Sequence, residues 1–531
     1  MVRILDKHIH SNRTGTLTHG EAIGILVHNV LVSRDPLYGL SAWVGQIDPN
    51  ALGLTDEQAA AVNDDRMARA LDQLSEYAGR GVFFQLALRS IKLFELETAR
   101  IHFDTTSVTF SGQYRGSTQE PRIVRGHNKD GHPDLKQLVF GLNVTADGAV
   151  PLYHQVYSGN RTDDTVHRDN VDALRDLLAK DDFIYTADGK LCTKENLQHI
   201  DQFGGKFVTV LPRTRKEDAG FREKLRYKAG RWRTMMAVEN PRARGEIETY
   251  GICTTGPART EDGFRLIWLR SSAKARHDEE ARQEGLEKAK AALKDLAGKL
   301  NHRKLKTRKQ IKAAVKRILK DAQCVEFLRV TVVPTVITTY KRTRIGRPNP
   351  GDPKERVSTT QYSLEIKEDA VRLRQERNAD GVFALVTNLP PKWKAGQVLQ
   401  IYRYQPHLER RFENLKTEYC VAPVYLKTPK RIVGFLHVCF LALMVAALIE
   451  REVRRRMDSE GVAAIPIYPE ERQCRSPTAP RIFELFSQVD WYKHVGQDEE
   501  VLYPVRLSAT HRQVLQLLGV PRQQYEGTIE A

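Results

Sequence analysis

Cysteine contributes little to this chain. Its six cysteines, Cys192, Cys253, Cys324, Cys420, Cys439 and Cys474, are scattered over 531 residues, with no C-x-x-C pair and no histidine at zinc-ligand spacing beside them. That pattern excludes a disulfide-stapled scaffold and a structural zinc site, and it fits a reduced cytosolic protein. The opening stretch MVRILDKHIHSNRTG lacks the apolar core of a signal peptide. Long apolar runs are also missing, with one exception, IVGFLHVCFLALMVAALI, Ile432 to Ile449. It is just long enough to tempt a membrane assignment. It is nevertheless single, contains Gly434 and His437, and lies between Lys430, Arg431 and EREVRRR in a chain of mean hydropathy −0.47. A buried core helix is the expectation, with no membrane as partner. No internal repeat is visible.

Positive charge is what the chain has in excess. Lys and Arg number 83 against 66 Asp and Glu, a net +17 with a pI near 9.5. A polyanionic partner, nucleic acid first, follows from a surplus of that size. The stretch NHRKLKTRKQIKAAVKRILK concentrates it, with nine Lys or Arg and no acid. A merely solvated helix face mixes signs, so a surface that tracks phosphates is favoured here.

The length implies two to four domains, or one domain with a large insertion. Residues 1–95 read as helical, from the spacing of apolar residues in GEAIGILVHNVLV, TDEQAAAV and DDRMARALDQLSEYAGRGVFFQLALRSIKLF. RIHFDTTSVTFSG then alternates and is rich in β-branched residues, which predicts a strand. KQLVFGLNVTADGAVPLYHQVYSGN predicts two more, joined at Asp147-Gly148. Val166, Val171, Leu174 and Leu177 mark a helix, FIYTADG a short buried strand, TKENLQHIDQF a helix with Thr193 as cap, and GGKFVTVLP another strand. The order is βββαβ, an α/β layer fold. Between about 213 and 385 the pattern changes to strands (EIETYGICTT, FRLIWLRSS, EFLRVTVVPTVITTY), a charged helical stretch from about Ala273 to Gln323, and a Pro/Gly-rich loop, RTRIGRPNPGDPKER. The expected division is 1–95, 96–212, 213–385, 386–456 and 457–531.

Two carboxylates stand out in the first part. Asp104 lies inside the first strand, in IHFDTTS, where a lone charge is costly unless solvated, paired or metal-bound. Asp188 follows the fourth strand, where a sheet hands over to a loop and ligands commonly bind. A βββαβ core sets its first strand beside the fourth, so the two acids can face each other. With a third carboxylate from a packing helix they could hold two hard divalent cations for phosphodiester cleavage. YRYQPHLERRFENLK offers one: Pro406 suits a helix start, and Glu409 and Lys416 are two turns apart with Phe412 between. Spacing alone does not separate Glu409 from Glu413. His102 alternates to the same strand face as Asp104, and a structural histidine is the expectation there. Gly159, Asn160 and Asp163 read as turn and helix-start residues.

Tyr402, Gln405, Glu409 and Lys416, with two, three and six residues between them, resemble the YREK signature of bacterial DDE transposases of the insertion-sequence-four group, large-transposase branch. HFDTTS, LVFGLNVTADGAVPLYHQVYSGNRTDD and TADGKLCTKENL resemble the catalytic blocks of that group, in order, and DDRMARALDQL and GVFALVTNLP resemble further recurrent segments. The resemblance covers most of residues 60–450. It implies an RNase H-like catalytic core, interrupted by a β-rich insertion, in which Asp104, Asp188 and Glu409 bind Mg2+, with Mn2+ as a substitute. It implies further that Tyr402 and Lys416 contact DNA phosphates, that the partners are double-stranded DNA at the element ends and target, and that a homodimer forms on DNA. The signature arginine is Gln405 here, leaving Arg403 or Arg410 as replacements. The implied activity is cleavage at terminal inverted repeats followed by strand transfer, with a hairpin on the flanking cut suggested by the group. An RNase H-like nuclease without strand transfer and a non-catalytic basic DNA-binding protein are the alternatives.

Overall fold

A computed structural model describes residues 1–9, 15–77, 80–114, 120–239, 245–302, 304–343, 345, 350, 353–419, 426–487, 489–490, 492–495, 500–503 and 505–526. Cys420 lies outside them; the five cysteines within them are free thiols. The chain divides into two compact units, one of residues 1–209, 387–393 and 397–531, the other of 210–386 and 394–396.

The first unit begins with helices. Thr18 opens His19–Val32 with a capping box to Glu21, and Asp64–Tyr77 and Arg80–Phe94 follow. Five strands come next: β1 (Arg100–Phe110), β2 (Lys136–Thr145), β3 (Pro151–Ser158), β4 (Ile184–Thr186) and β5 (Lys206–Val210). They lie in the order β3-β2-β1-β4-β5. The first three form an antiparallel meander, and β1, β4 and β5 run parallel. The helix His167–Leu178 makes the crossover from β3 to β4. The mixed sheet with its central β1 beside β4 is the arrangement expected from the βββαβ order. Most of β1 and β2 is buried on both faces, so the alternation read from β1 marks propensity rather than a solvent face.

The apolar run belongs to a 31-residue helix, Pro429–Ser459. It is the one described helix long and apolar enough to cross a membrane, and 78% of its most apolar window is buried inside the protein. It packs on β3 and on the helices His19–Val32 and Asp64–Tyr77. Gly434 permits the closest approach, since a Cβ there would stand 2.2 Å from the Leu71 carbonyl oxygen. Gly434→Ala is therefore expected to push the two helices apart and cost about 1–3 kcal/mol. A lowered thermal midpoint checks this.

His437 bonds His154 of β3 at 2.7 Å inside a box of Phe83, Phe140 and Phe440. Burial pushes the His437 imidazole down to about 4 and lowers that of His154. A base whose folded-state pKa is depressed stabilises the fold above its unfolded value near 6.5 and loses that contribution as pH falls toward the folded value. Stability is expected to decline between pH 6.5 and 4, by up to about 1.4 kcal/mol per pH unit for each such histidine. Denaturant midpoints at pH 7 and pH 5 measure it; equal midpoints would contradict it.

The C-terminal part of this unit is a small core of its own, with Val453 and Met457 of the long helix packed on Ile465, Ile467, Ile482, Val514 and Leu517.

In the second unit β6 (Arg233–Glu239), β7 (Ile247–Cys253) and β8 (Arg265–Ser271) form an antiparallel meander. The charged helical stretch consists of two helices, Ser272–Gly298 and Arg308–Asp321. Thr307 starts the second with a capping box to Gln310. Ile311, Val315 and Leu319 are buried at a spacing of four, which leaves Lys309, Lys312, Lys316, Arg317 and Lys320 on the exposed face. These helices share a core with Leu328 and Val332 at the base of a long hairpin, β9 (Leu328–Arg342) and β10 (Lys354–Glu368), whose outer half is exposed. Neither β6 nor β10 was foreseen: β10 is polar and charged, and β6, RTMMAVE, is short and has no fully buried residue. The last strand of this unit, β11 (Val382–Thr387), lies beside β8.

Candidate active site

The sheet register places the first two candidate acids. His102 of β1 pairs with Thr186 of β4 in the parallel ladder. Asp104 lies two residues further along β1 and Asp188 two residues past Thr186, just beyond the end of β4, so that the Asp188 charge acts on Asp104. Asp188 bonds the Lys190 amide at 3.0 Å and caps a short 3-10 turn, while its carbonyl accepts from the Thr209 hydroxyl at 2.6 Å. Asp104 accepts from the Thr105 amide at 2.7 Å.

Lys129 fills the space beside them. Its ammonium donates to the Thr105 carbonyl at 2.7 Å and hydroxyl at 2.8 Å, and lies 3.1 Å from Asp163 Oδ2 and 3.5 Å from Asp104 Oδ1. Asp163 also accepts from the Thr105 hydroxyl at 2.6 Å. A pairing cation is thus what makes Asp104 tolerable inside a strand. Asp163 is more than the turn residue read from the sequence: it is a third acid of this cleft.

The electrostatics agree. Burial pushes the Asp104 carboxyl up to about 6, with the neighbouring Asp188 and Asp163 charges adding and Lys129 opposing. Burial likewise raises Asp188. For Asp163 burial is outweighed by the Thr105 hydroxyl and Lys129, which hold it below the usual carboxylate range. Lys129 is raised despite burial by Asp104, Asp163 and Asp188.

The helix Gln405–Glu413 brings the remaining candidates. Pro406 sits in its first turn, as expected, and Tyr402 ends the preceding helix Ala395–Tyr402. Gln405 is buried and ties the helix to β1, donating to the Phe103 carbonyl at 2.8 Å and bonding His102 Nδ1 at 3.1 Å. The residue standing at the signature arginine therefore has a structural role, as has His102, whose imidazole burial pushes down to about 4. On the next turn Arg411 bonds Glu450 at 2.8 Å and the Ala149 and Gly148 carbonyls at 3.0 and 2.8 Å. The half-buried Tyr402 phenol is raised first by burial and then by the charges of Asp188, Glu409 and Asp104. Of the two glutamates left open by spacing, Glu409 is the one whose charge reaches Tyr402 together with the sheet acids.

After Glu413 the helix widens into a π turn, Asn414–Glu418, which carries Lys416. Its ammonium bonds both oxygens of Asp130, at 2.6 and 2.8 Å. Arg410 lines a different cleft of about 360 Å3 with Tyr404, His407, Arg411, Arg451 and Arg454, in which none of Asp104, Asp188 and Glu409 takes part. That placement speaks against Arg410 as a replacement beside the acids. Arg403 precedes the helix and has interactions of its own.

A family model described as a domain of unknown function, DUF4277, matches residues 1–88. No curated protein matches the chain. Among solved structures, the cryo-EM structure of a piggyBac transposase synaptic complex with hairpin DNA is similar over 85% of this chain and 78% of that one. The identity is 11% and the TM-score 0.27, a likeness too slight to bear on function.

Oxygen donors of this kind suit a hard divalent cation, and the Lys129 ammonium already stands among them as a monovalent one. Among the described residues no three His, Cys, Asp or Glu are spaced to enclose an ion as they stand. The donor set fits such a cation in chemistry, and closing around it requires movement. Lys129 and Asp130 escaped the sequence reading, which took Asp163 for a helix-start residue. HNKDGH carries a turn signal at Asp130-Gly131, but nothing in it says that the turn folds onto β1.

Proposed function

We propose that this chain is a DNA transposase of the DDE type, with Asp104, Asp188 and Glu409 as the acids of its active site and Asp163 beside them. The observation that supports it most is the grouping of Asp104 of β1 and Asp163 around the Lys129 ammonium, with Asp188 just past β4, the strand paired to β1; Glu409 lies near enough to raise the Tyr402 phenol together with the two sheet acids. The ordered blocks that resemble insertion-sequence-four transposases fall on the same residues. A bound divalent cation, Mg2+ or Mn2+, supplies activation of water or of a DNA 3′-hydroxyl and neutralises charge on the leaving oxygen.

The protein's own residues do the rest. Asp104 on β1 and Asp188 just past the neighbouring β4 provide negative charge on one wall of the cleft. Tyr402, whose phenol burial and the charges of Asp188, Glu409 and Asp104 keep protonated, would donate to a phosphate oxygen. Gln405 and Arg411 fix the helix that carries Glu409. Lys416 and the exposed basic face of Arg308–Asp321 supply sequence-independent attraction to duplex phosphates, while base contacts are left to specify the ends. Action on two element ends calls for at least two copies on DNA.

Transposition separates from simple nuclease activity by its substrate. The DNA flanking the reading frame is expected to hold a terminal inverted repeat, and the protein is expected to shift a duplex bearing it at least about tenfold more tightly than a scrambled duplex. Equal affinity for both duplexes would favour a nuclease or a non-catalytic DNA-binding protein.

A further inference from the structure

Lys129 and Asp130 are neighbours on one turn, yet they hold two different parts of the site. Lys129 occupies the acids, bonded to Thr105 and paired with Asp163 and Asp104. Asp130 occupies the lysine, bonded to the Lys416 ammonium through both oxygens. The turn between them is stiff. Asn128 accepts from the Asp130 and His132 amides at 2.8 and 3.1 Å and donates to Gln137 of β2 at 2.9 Å, and Gly131 has φ 78°. Lys129 and Asp130 are therefore joined through one hydrogen-bonded turn.

We propose that this turn is a latch that keeps the site closed until a divalent cation and DNA arrive together; the inference rests on the function proposed above. A divalent cation among Asp104, Asp163 and Asp188 would stand within a few ångströms of the Lys129 ammonium. Like charges at that range in a partly dry cleft repel strongly, and the doubly charged ion wins the acids. Lys129 leaves, the stiff turn goes with it, and Asp130 releases Lys416. Lys416 then meets a phosphate instead of a carboxylate. In the reverse direction, a phosphate that takes Lys416 also repels Asp130 and loosens Lys129. Binding of the two ligands is coupled, and by linkage the factor is the same in both directions. The resident ammonium also accounts for the acids being held stably in the fold without an ion.

Two substitutions separate the arms of the latch. Mn2+ affinity is measured by calorimetry without DNA on the native protein, Lys129→Met and Asp104→Asn. Affinity for a fluorescent duplex carrying the flanking sequence is measured by anisotropy, in EDTA and in Mg2+, on the native protein, Asp130→Asn and Asp134→Asn. The last makes the same charge change in the next turn of the same loop, and no bond joins it to Lys416 among those of the Lys416 ammonium. Lys129→Met is expected to bind Mn2+ about tenfold more tightly than the native protein. The native protein is expected to bind duplex about tenfold more tightly in Mg2+ than in EDTA. Asp130→Asn should reach the Mg2+ value already in EDTA, and Asp134→Asn should behave as native. If Asp104→Asn abolishes Mn2+ binding while Lys129→Met leaves it unchanged, the latch is wrong and the active site stands. If Asp130→Asn and Asp134→Asn strengthen binding equally, the effect is bulk charge and the latch is again wrong. If neither the native protein nor Lys129→Met binds Mn2+, the proposed function falls and the latch with it.

Discussion

Asp104→Asn is expected to lower metal-dependent DNA cleavage about a thousandfold while leaving duplex binding in EDTA within about threefold. A divalent cation contributes several kcal/mol to charge stabilisation in phosphodiester cleavage, and each 1.36 kcal/mol is a factor of ten in rate. Loss of a carboxylate shared by that cation therefore removes about three decades. The fold should survive the change. Lys129 keeps Asp163 and the Thr105 oxygens as partners when the Asp104 charge is gone. The raised Asp104 pKa, about 6, carries its own consequence. A carboxyl raised in the folded state contributes stability below its unfolded value, near 4, and loses it as pH rises through the folded value. At pH 7 the ionised Asp104 is thus a cost to folding, and the neutral Asn should melt no lower than the native protein. A single-turnover cleavage rate, a binding isotherm and a melting curve on the same preparation check all three parts. Loss of binding together with cleavage would mean that Asp104 holds the fold or the DNA rather than the reaction.

The largest effect on stability is expected at Arg411. It pairs with Glu450 while their side chains are only 4% and 3% exposed, and its other nitrogens serve two backbone carbonyls of the β2–β3 turn. Glu450 in turn accepts from the Ala479 amide at 3.0 Å. Arg411→Met leaves the buried Glu450 charge with only Arg454, 3.6 Å away, as a cation, at a cost of about 3 kcal/mol. The double substitution Arg411→Met with Glu450→Leu should recover part of that loss, because no charge is then stranded, although the freed carbonyls and amide keep the recovery incomplete. Denaturant unfolding of both variants measures it. A double variant no more stable than Arg411→Met would mean that the carbonyl contacts, not the ion pair, dominate. Since Arg411 lies two residues from Glu409, a displaced Glu409 should also be visible as lost cleavage in Arg411→Met at temperatures where it remains folded.

Much of the first unit was legible in the residues because local and global signals agree there. β-branched alternation marks β1, Asp147-Gly148 marks the β2–β3 turn, and a helix-period pattern marks the crossover, which together dictate β1 beside β4 and so the nearness of Asp104 and Asp188. Pro406 marks the first turn of the Glu409 helix. What stayed hidden depends on contacts between distant segments. Nothing near Lys129 in sequence says that it reaches β1, and Asp163 looks like an ordinary helix-start residue until Thr105 and Lys129 are seen to bond it. Gln405 was readable only as a departure from a signature; its bonds to Phe103 and His102 explain why an amide, able both to donate and to accept, suits that place. The strands β6 and β10 were missed because neither buries a residue fully, β6 at the edge of its meander and β10 in an exposed two-stranded ribbon, and the break after Gly298 because the charged helices on either side share one composition.

The most direct test of the proposed function is cleavage of a labelled duplex carrying the sequence that flanks the reading frame, in Mg2+, in Mn2+ and in EDTA, with the native protein, Glu409→Gln and Glu413→Gln. Cuts at the repeat boundary in Mg2+ and Mn2+, none in EDTA, none with Glu409→Gln and undiminished cuts with Glu413→Gln are the expected result. Cleavage that persists in Glu409→Gln but vanishes in Glu413→Gln would contradict the assignment of the third acid. Binding without cuts under every metal would contradict the proposed reaction itself.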